Sequence, residues 1–210
     1  MTDAASSPDT PRPRGSRELW LDAALDLLVS NGIEAVKIMP LARAVDQTRT
    51  GFYWYFKDLA ALHGAMVETW EARNTGQIQA RCEAPAKNIT QALFNLMDCW
   101  LDPALFDARL DLAIRNWARN DAALAARLDA ADAARIAAVR AMFLRFGYSA
   151  AQADVRSLTV IYTQVGYISM EVEEDPVARL ARVPHYVEMF SGQPPAPQDV
   201  AAFMARHPLT

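Results

Sequence analysis

Apolar residues along most of this chain recur three and four positions apart, and no segment alternates apolar with polar residues for long enough to suggest a strand. Over 17–31, Leu19, Trp20, Ala23, Ala24, Leu27 and Leu28 repeat at helical spacing behind the cap Ser16 and ahead of the stop Asn31-Gly32, while Glu18, Asp22 and Asp26 take the other face. Two very short segments follow, 38–45 and 48–54, joined by a turn at Asp46-Gln47. Longer patterns cover 58–80, 86–101, 103–119, 121–146, 149–174 and 176–190. Asp102-Pro103 and Asp175-Pro176 read as cap and first-turn pairs, and Ser149 with Gln152 as a capping box. Pro40 and Pro85 also stand at helix starts, and no proline occurs between 103 and 176, as long helices require. Pro184 should kink or split the last long helix, and a short one is expected near 200–205. The pattern predicts an all-α fold.

The two shortest segments carry the most information. Helices of this length cannot stand alone in water and must be held by their neighbours. Two of them with a tight turn between form a helix-turn-helix, whose second member is narrow enough to enter the major groove of DNA.

This stretch is similar to the N-terminal domain of the tetracycline-repressor (TetR) family of transcriptional regulators. The resemblance runs from about Arg17 to Trp70 and is strongest over Leu41-Ala42-Arg43-Ala44 and the run Thr48-Arg49-Thr50-Gly51-Phe52-Tyr53-Trp54-Tyr55-Phe56-Lys57. It implies a three-helix DNA-binding head followed by a larger helical domain that binds a small inducer and forms the dimer. The implied function is a ligand-responsive regulator, acting as a repressor on a palindromic operator in double-stranded DNA. The chain departs from the family pattern at Lys37, where a Thr or Ser cap is usual, at Asp46 for a turn glycine, at Gln47 for an apolar residue and at Leu59 for a lysine.

The residues themselves fit such a role. Phe52 and Phe56 are four apart and share a face with Leu41 and Val45 nearby, so they should anchor the small helix. Tyr53 and Trp54 then point to the rim with Tyr55 beside them, where a hydroxyl or indole N–H can hold a phosphate. Thr48, Arg49 and Thr50 open the second helix and are candidates for base edges, Arg49 through a bidentate pair with guanine. Gly51 permits close approach to the groove wall, and Lys37, Arg43 and Lys57 suit backbone phosphates. Arg12, Arg14 and Arg17 could extend the footprint as a basic arm.

Charge alters the picture only once it is located. With 21 Lys and Arg against 25 Asp and Glu, the net charge of −4 argues against coating nucleic acid by bulk attraction. Yet Glu18, Asp22, Asp26 and Glu34 give −4 over 18–34, and Lys37, Arg43, Arg49 and Lys57 against Asp46 give +3 over 37–57. The acids and bases are segregated, so specificity should rest on few contacts.

The remainder of the chain is read as 1–15 a flexible Pro-rich arm, 16–57 the DNA-binding head, 58–192 a helical ligand-binding and dimerisation domain, and 193–210 a tail. Leu158, Tyr162, Val165, Ser169 and Val172 make an apolar stripe beside Gly166, which is either core or partner surface. The favoured reading is a homodimer through helices near 149–174 and 176–190. A pocket for an inducer of unidentified chemistry could be lined by Trp70, Phe94, Asp98, Trp100, Arg115, Trp117, Phe143, Tyr162 and Gln164, though buried aromatics equally serve as core.

Catalysis finds no supporting constellation. His63, His185 and His207 are scattered, Ser149 already has a capping role, and Glu171, Glu173, Glu174 and Asp175 sit together at a helix end. No enzyme activity, metal or cofactor is expected. The two cysteines, Cys82 and Cys99, suit a reduced cytoplasmic protein, and the longest uncharged run, Ser157 to Met170, is too short to span a bilayer. An alternative stays open: a helical small-molecule-binding or adaptor protein whose head has lost operator binding, an idea encouraged by Asp46, Gln47 and Leu59.

Overall fold

The computed structural model describes residues 15–208, in which every regular element is helical. The helices are α1 (Arg17–Asn31), α2 (Ile38–Ala44), α3 (Arg49–Phe52), α4 (Leu59–Trp70), α5 (Gly76–Glu83), α6 (Ile89–Leu101), α7 (Ala108–Ala118), α8 (Ala122–Arg145), α9 (Ala150–Ser169), α10 (Pro176–Ser191) and α11 (Pro197–Arg206). A 3-10 turn occupies Ile33–Ala35 and a π turn Glu71–Thr75. The arm expected over 1–15, with Arg12 and Arg14, lies outside the described residues except for Gly15. Contacts divide the chain into two compact units, one ending at Ala65 and the next beginning at Met66, so the division falls inside α4.

In the first unit, Ser16 Oγ accepts from the Leu19 amide to start α1, and the Gly32 amide closes it on the Leu28 carbonyl. The buried face of α1 is Trp20, Leu21, Ala24, Leu25 and Leu28, rotated slightly from the expected stripe, and Leu19 is exposed. The cause is the partner beneath it: Trp20 meets Phe52 edge-on with ring centroids 5.5 Å apart. Val36, Leu41, Phe52, Phe56 and Leu62 complete this small core.

The second unit is built on α5, α6, α8, α9, α10 and α11, around Leu93, Leu96, Phe143, Val160 and Val187. Side-chain caps place its helices: Asn88 for α6, Asp107 for α7, Asp121 for α8, the Ser149–Gln152 capping box for α9 and Asp175 for α10. Four expectations are corrected here. The stretch 58–80 is not one α-helix, because the π turn interrupts it and helical structure then runs on to Glu83. Asp102 does not start α7; its Oδ1 accepts from the Ala104 amide in a turn, and Asp107 takes the capping role. α9 stops at Ser169 rather than 174 because Glu171 turns left-handed at φ 48°, which removes Val172 from the stripe. Pro184 does not split α10, which runs to Ser191 and ends at Gly192 in the left-handed region.

The C-terminal stretch is likewise more than a tail. Phe203 of α11 is fully buried and stacks on Phe94 at 4.7 Å, while Arg206 and His207 both bond Asp98. Cys82 and Cys99 are free and buried, and burial pushes each thiol up to about 12.

The π turn aims polar side chains into this unit. Asn74 brackets the backbone of Asp107, donating to its carbonyl at 2.9 Å and accepting from its amide at 3.2 Å. Thr75 Oγ1 accepts from Arg135 Nε at 3.0 Å. Arg135, itself buried, reaches Asp111 at 2.9 Å, and Asp111 also receives Arg115 at 2.8 Å and the Trp70 indole N–H at 2.8 Å. Burial alone would raise the Asp111 carboxyl, but Arg135 and Arg115 outweigh it and hold the group below the ordinary carboxylate range.

Candidate nucleic-acid interface

The interface is assembled from the α3 core outward. Phe52 has no exposed surface; it stacks on Phe56 at 5.6 Å and meets Tyr53 edge-on at 5.4 Å. That one anchor fixes the rotation of a four-residue helix and leaves its other positions outside. Thr48 caps α3 through Oγ1, which accepts from the Gly51 amide at 3.1 Å and leaves the hydroxyl proton available to donate. Arg49 and Thr50 are exposed, Tyr53 is 46 % exposed and Trp54 82 %. Tyr55 is differently placed, its hydroxyl donating to the Gly15 carbonyl, so it ties the chain entering α1 to the end of α3.

The turn between the two helices is as the sequence reading requires of it. Asp46 takes φ 49°, a conformation that Asp tolerates better than most residues, and the Gln47 amide closes on the Ala42 carbonyl at 2.8 Å. Lys37 stands at the cap of α2 with no side-chain cap bond. Lys37, Arg43, Arg49 and Lys57 are all exposed, and none is within an ion pair among the described residues. Four uncompensated cations therefore accompany the exposed start of α3 on this unit. Arg17 is exposed as well, its guanidinium lying 5.1 Å over the Phe56 ring.

Residues 21–66 match the family model described as bacterial regulatory proteins, tetR family. The chain carries a TetR-family DNA-binding domain. The fold beyond it is that of these regulators too. A chain from Mesorhizobium loti, assigned to the TetR-family transcriptional regulators, matches with TM-score 0.59 at 15% identity over 90% of this chain and 95% of that one. A transcriptional regulator from Rhodococcus sp. Rha1 matches with TM-score 0.59 at 16% identity over 91% and 97%, and Salmonella enterica GusR with TM-score 0.64 at 17% identity over 84% and 93%. At such identities the likeness establishes the fold. No curated protein matches the chain significantly. A TetR-family head on a chain of this fold implies DNA-binding transcriptional regulation, and no described helix is long and apolar enough to cross a membrane.

In the larger unit of this TetR-type chain, the nine residues expected around an inducer do not converge. Trp70 and Arg115 belong to the Asp111 network, Phe94 and Phe143 to the core, and Asp98 to the α11 contact. Trp117 is half-buried on α7 and Tyr162 is 62 % exposed on α9. Trp100 and Gln164 meet at one cavity, of about 50 Å³, walled by Met97, Val160, Val183 and Phe190. Sequence reasoning missed its other polar residues, Thr163, Tyr167, Glu174, Arg179 and Tyr186. The Tyr167 and Tyr186 hydroxyls lie 2.7 Å apart, and this hydrogen bond, with burial, pushes the Tyr186 phenol up to about 12, so it is neutral at physiological pH. One signal was available: Arg179 sits in the first turn of α10, where the helix dipole disfavours a cation.

Proposed function

We propose that this TetR-type chain is a transcriptional repressor that binds a palindromic operator as a homodimer and is released by a small-molecule inducer. The observation that carries the reading is the exposed start of α3 held on a fully buried Phe52. In this reading Arg49, Thr48 and Thr50 meet base edges, and Gly51 lets the groove wall come close. Lys37, Arg43, Lys57, Tyr53 and Trp54 hold phosphates, and Tyr55 acts from behind by fixing the entry to α1. The dimer forms through α9 and α10, whose outer faces carry the exposed Val155, Tyr162, Val177 and Met189. Ligand bound in the larger unit shifts the population between DNA-competent and DNA-incompetent dimers.

A gel shift with the DNA flanking the chain's own gene, at ~100 mM salt where non-specific binding is weak, tests the proposal. The expected result is a specific shift carrying two chains per site and a dimer mass by light scattering at micromolar concentration. A monomer by light scattering, or no shift that survives non-specific competitor, contradicts it.

A further inference from the structure

The small cavity between α6, α9 and α10 collects polar groups that lack partners. Gln164 is nine-tenths buried and makes no side-chain hydrogen bond among the described residues. Trp100 Nε1 is buried with no acceptor. The Arg179 guanidinium lies 5.9 Å over the Tyr167 ring and pairs with no carboxylate among the described residues. Arg179 also lines two adjoining hollows, of about 490 and 310 Å³, so it stands where the narrow cavity meets wider space. Glu174, the acidic residue of the cavity, already gives one oxygen to Arg182 and keeps Oε1 buried and unpartnered.

Trp100 Nε1 and Glu174 Oε1 are the buried unpartnered atoms of this set, and such groups cost stability unless something satisfies them. A guanidinium, an amide N–H and an indole N–H are all donors, and together they suit a carboxylate, which arginine can hold with two parallel bonds. Trp100, Tyr167, Tyr186 and Phe190 supply aromatic walls, and a volume of about 50 Å³ corresponds to roughly four water positions, about the space of one ring. The unpartnered oxygen of Glu174 disfavours a second negative group. We propose that this cavity binds a small aromatic monocarboxylate, with the ring among the aromatic side chains and the carboxylate on Arg179 and Gln164. The proposal rests on the inducer reading above and names the chemical class of the ligand.

Benzoate is the probe and benzyl alcohol its uncharged comparator, titrated calorimetrically into the full chain. Benzoate should bind saturably at one site per chain and benzyl alcohol much more weakly. Arg179→Gln should weaken benzoate by about ten- to a hundredfold, as loss of a charge-assisted pair does, with the melting temperature little changed because Arg179 is in no ion pair among the described residues and makes only a distant contact with the Tyr167 ring. Arg140→Gln, outside the cavity, should leave binding intact. Among the five tryptophan indole N–H resonances, the one that Trp100→Phe removes should shift with benzoate. Benzyl alcohol binding as tightly as benzoate, unchanged binding by Arg179→Gln, a Trp100 resonance that saturating benzoate does not move, or no benzoate binding at all would each overturn the proposal. The operator complex separates the two claims. Benzoate that binds without releasing DNA supports the site and contradicts the inducer reading, whereas release by another compound with no benzoate binding does the reverse.

Discussion

Phe52 has no exposed surface while Arg49, Thr50, Tyr53 and Trp54 around it are exposed, so one ring sets the direction of every side chain α3 offers. Removing that ring should cost about 3 to 5 kcal/mol, most of what a small helical unit has to spare. Phe52→Ala is therefore expected to lower the first thermal transition and abolish operator binding with Arg49 intact, a result read by calorimetry and gel shift together. Gly51 separates folding from recognition in the opposite way. A Cβ there would meet Thr48 Oγ1 at 3.5 Å and Trp20 at 3.9 Å, both ordinary contacts, and alanine favours a helix by about 1 kcal/mol. Gly51→Ala should thus leave thermal stability unchanged or raised and weaken operator affinity, the combination expected if the groove wall approaches the backbone. The Phe52, Tyr53 and Trp54 pattern was legible because helical spacing alone assigns sides. The second role of Tyr55 was not, since its partner Gly15 is 40 residues away and no local spacing relates them.

At the scale of elements, the run from α4 through the π turn to α5 shows where periodicity stops being informative. Apolar spacing over 58–80 suggested an uninterrupted helix, and the extra residue in the π turn is explained by buried polar partners that the local pattern does not contain. Asn74 reaches Asp107 and Thr75 receives Arg135, which in turn holds Asp111. Asp111→Asn would leave the buried Arg135 without its closest countercharge, and breaking a buried pair in this way costs about 3 to 5 kcal/mol. The larger unit should lose that much stability at neutral pH in denaturant titrations. Because the Asp111 carboxyl is held below its ordinary value, its contribution is fully present above the unfolded pKa of roughly 3.9 and is lost as pH falls through the lower folded value. The variant should accordingly be less sensitive to acid than wild type over that window. Caps were the most legible feature at this scale: Ser16, Ser149 and Asp175 each hold the bond their position implied. Asp102 misled because an Asx turn and a helix cap use the same side-chain acceptor.

For the whole molecule, the net charge of −4 conceals the feature that matters. Lys37, Arg43, Arg49 and Lys57 are exposed and in no ion pair among the described residues, so these four would bring eight cations per dimer to DNA and contribute about −7 to the log-log salt slope. The helical fold class and the head were legible because capping and apolar spacing are local. The small cavity was not, because α6 is about fifty residues before the α9 and α10 that complete its walls, and only the cation in the first turn of α10 hinted at it. The central claim is that α3 reads DNA sequence through its first turn while the surrounding bases only position it. Its most direct measurement is the ratio of operator to scrambled-DNA affinity, by fluorescence anisotropy at fixed salt, for wild type, Arg49→Ala and Lys57→Gln. Arg49→Ala should lose about 1 to 3 kcal/mol on the operator and little on scrambled DNA, collapsing the ratio, whereas Lys57→Gln should weaken both alike and keep it. A ratio unchanged by Arg49→Ala, or equally small in all three proteins, would contradict it.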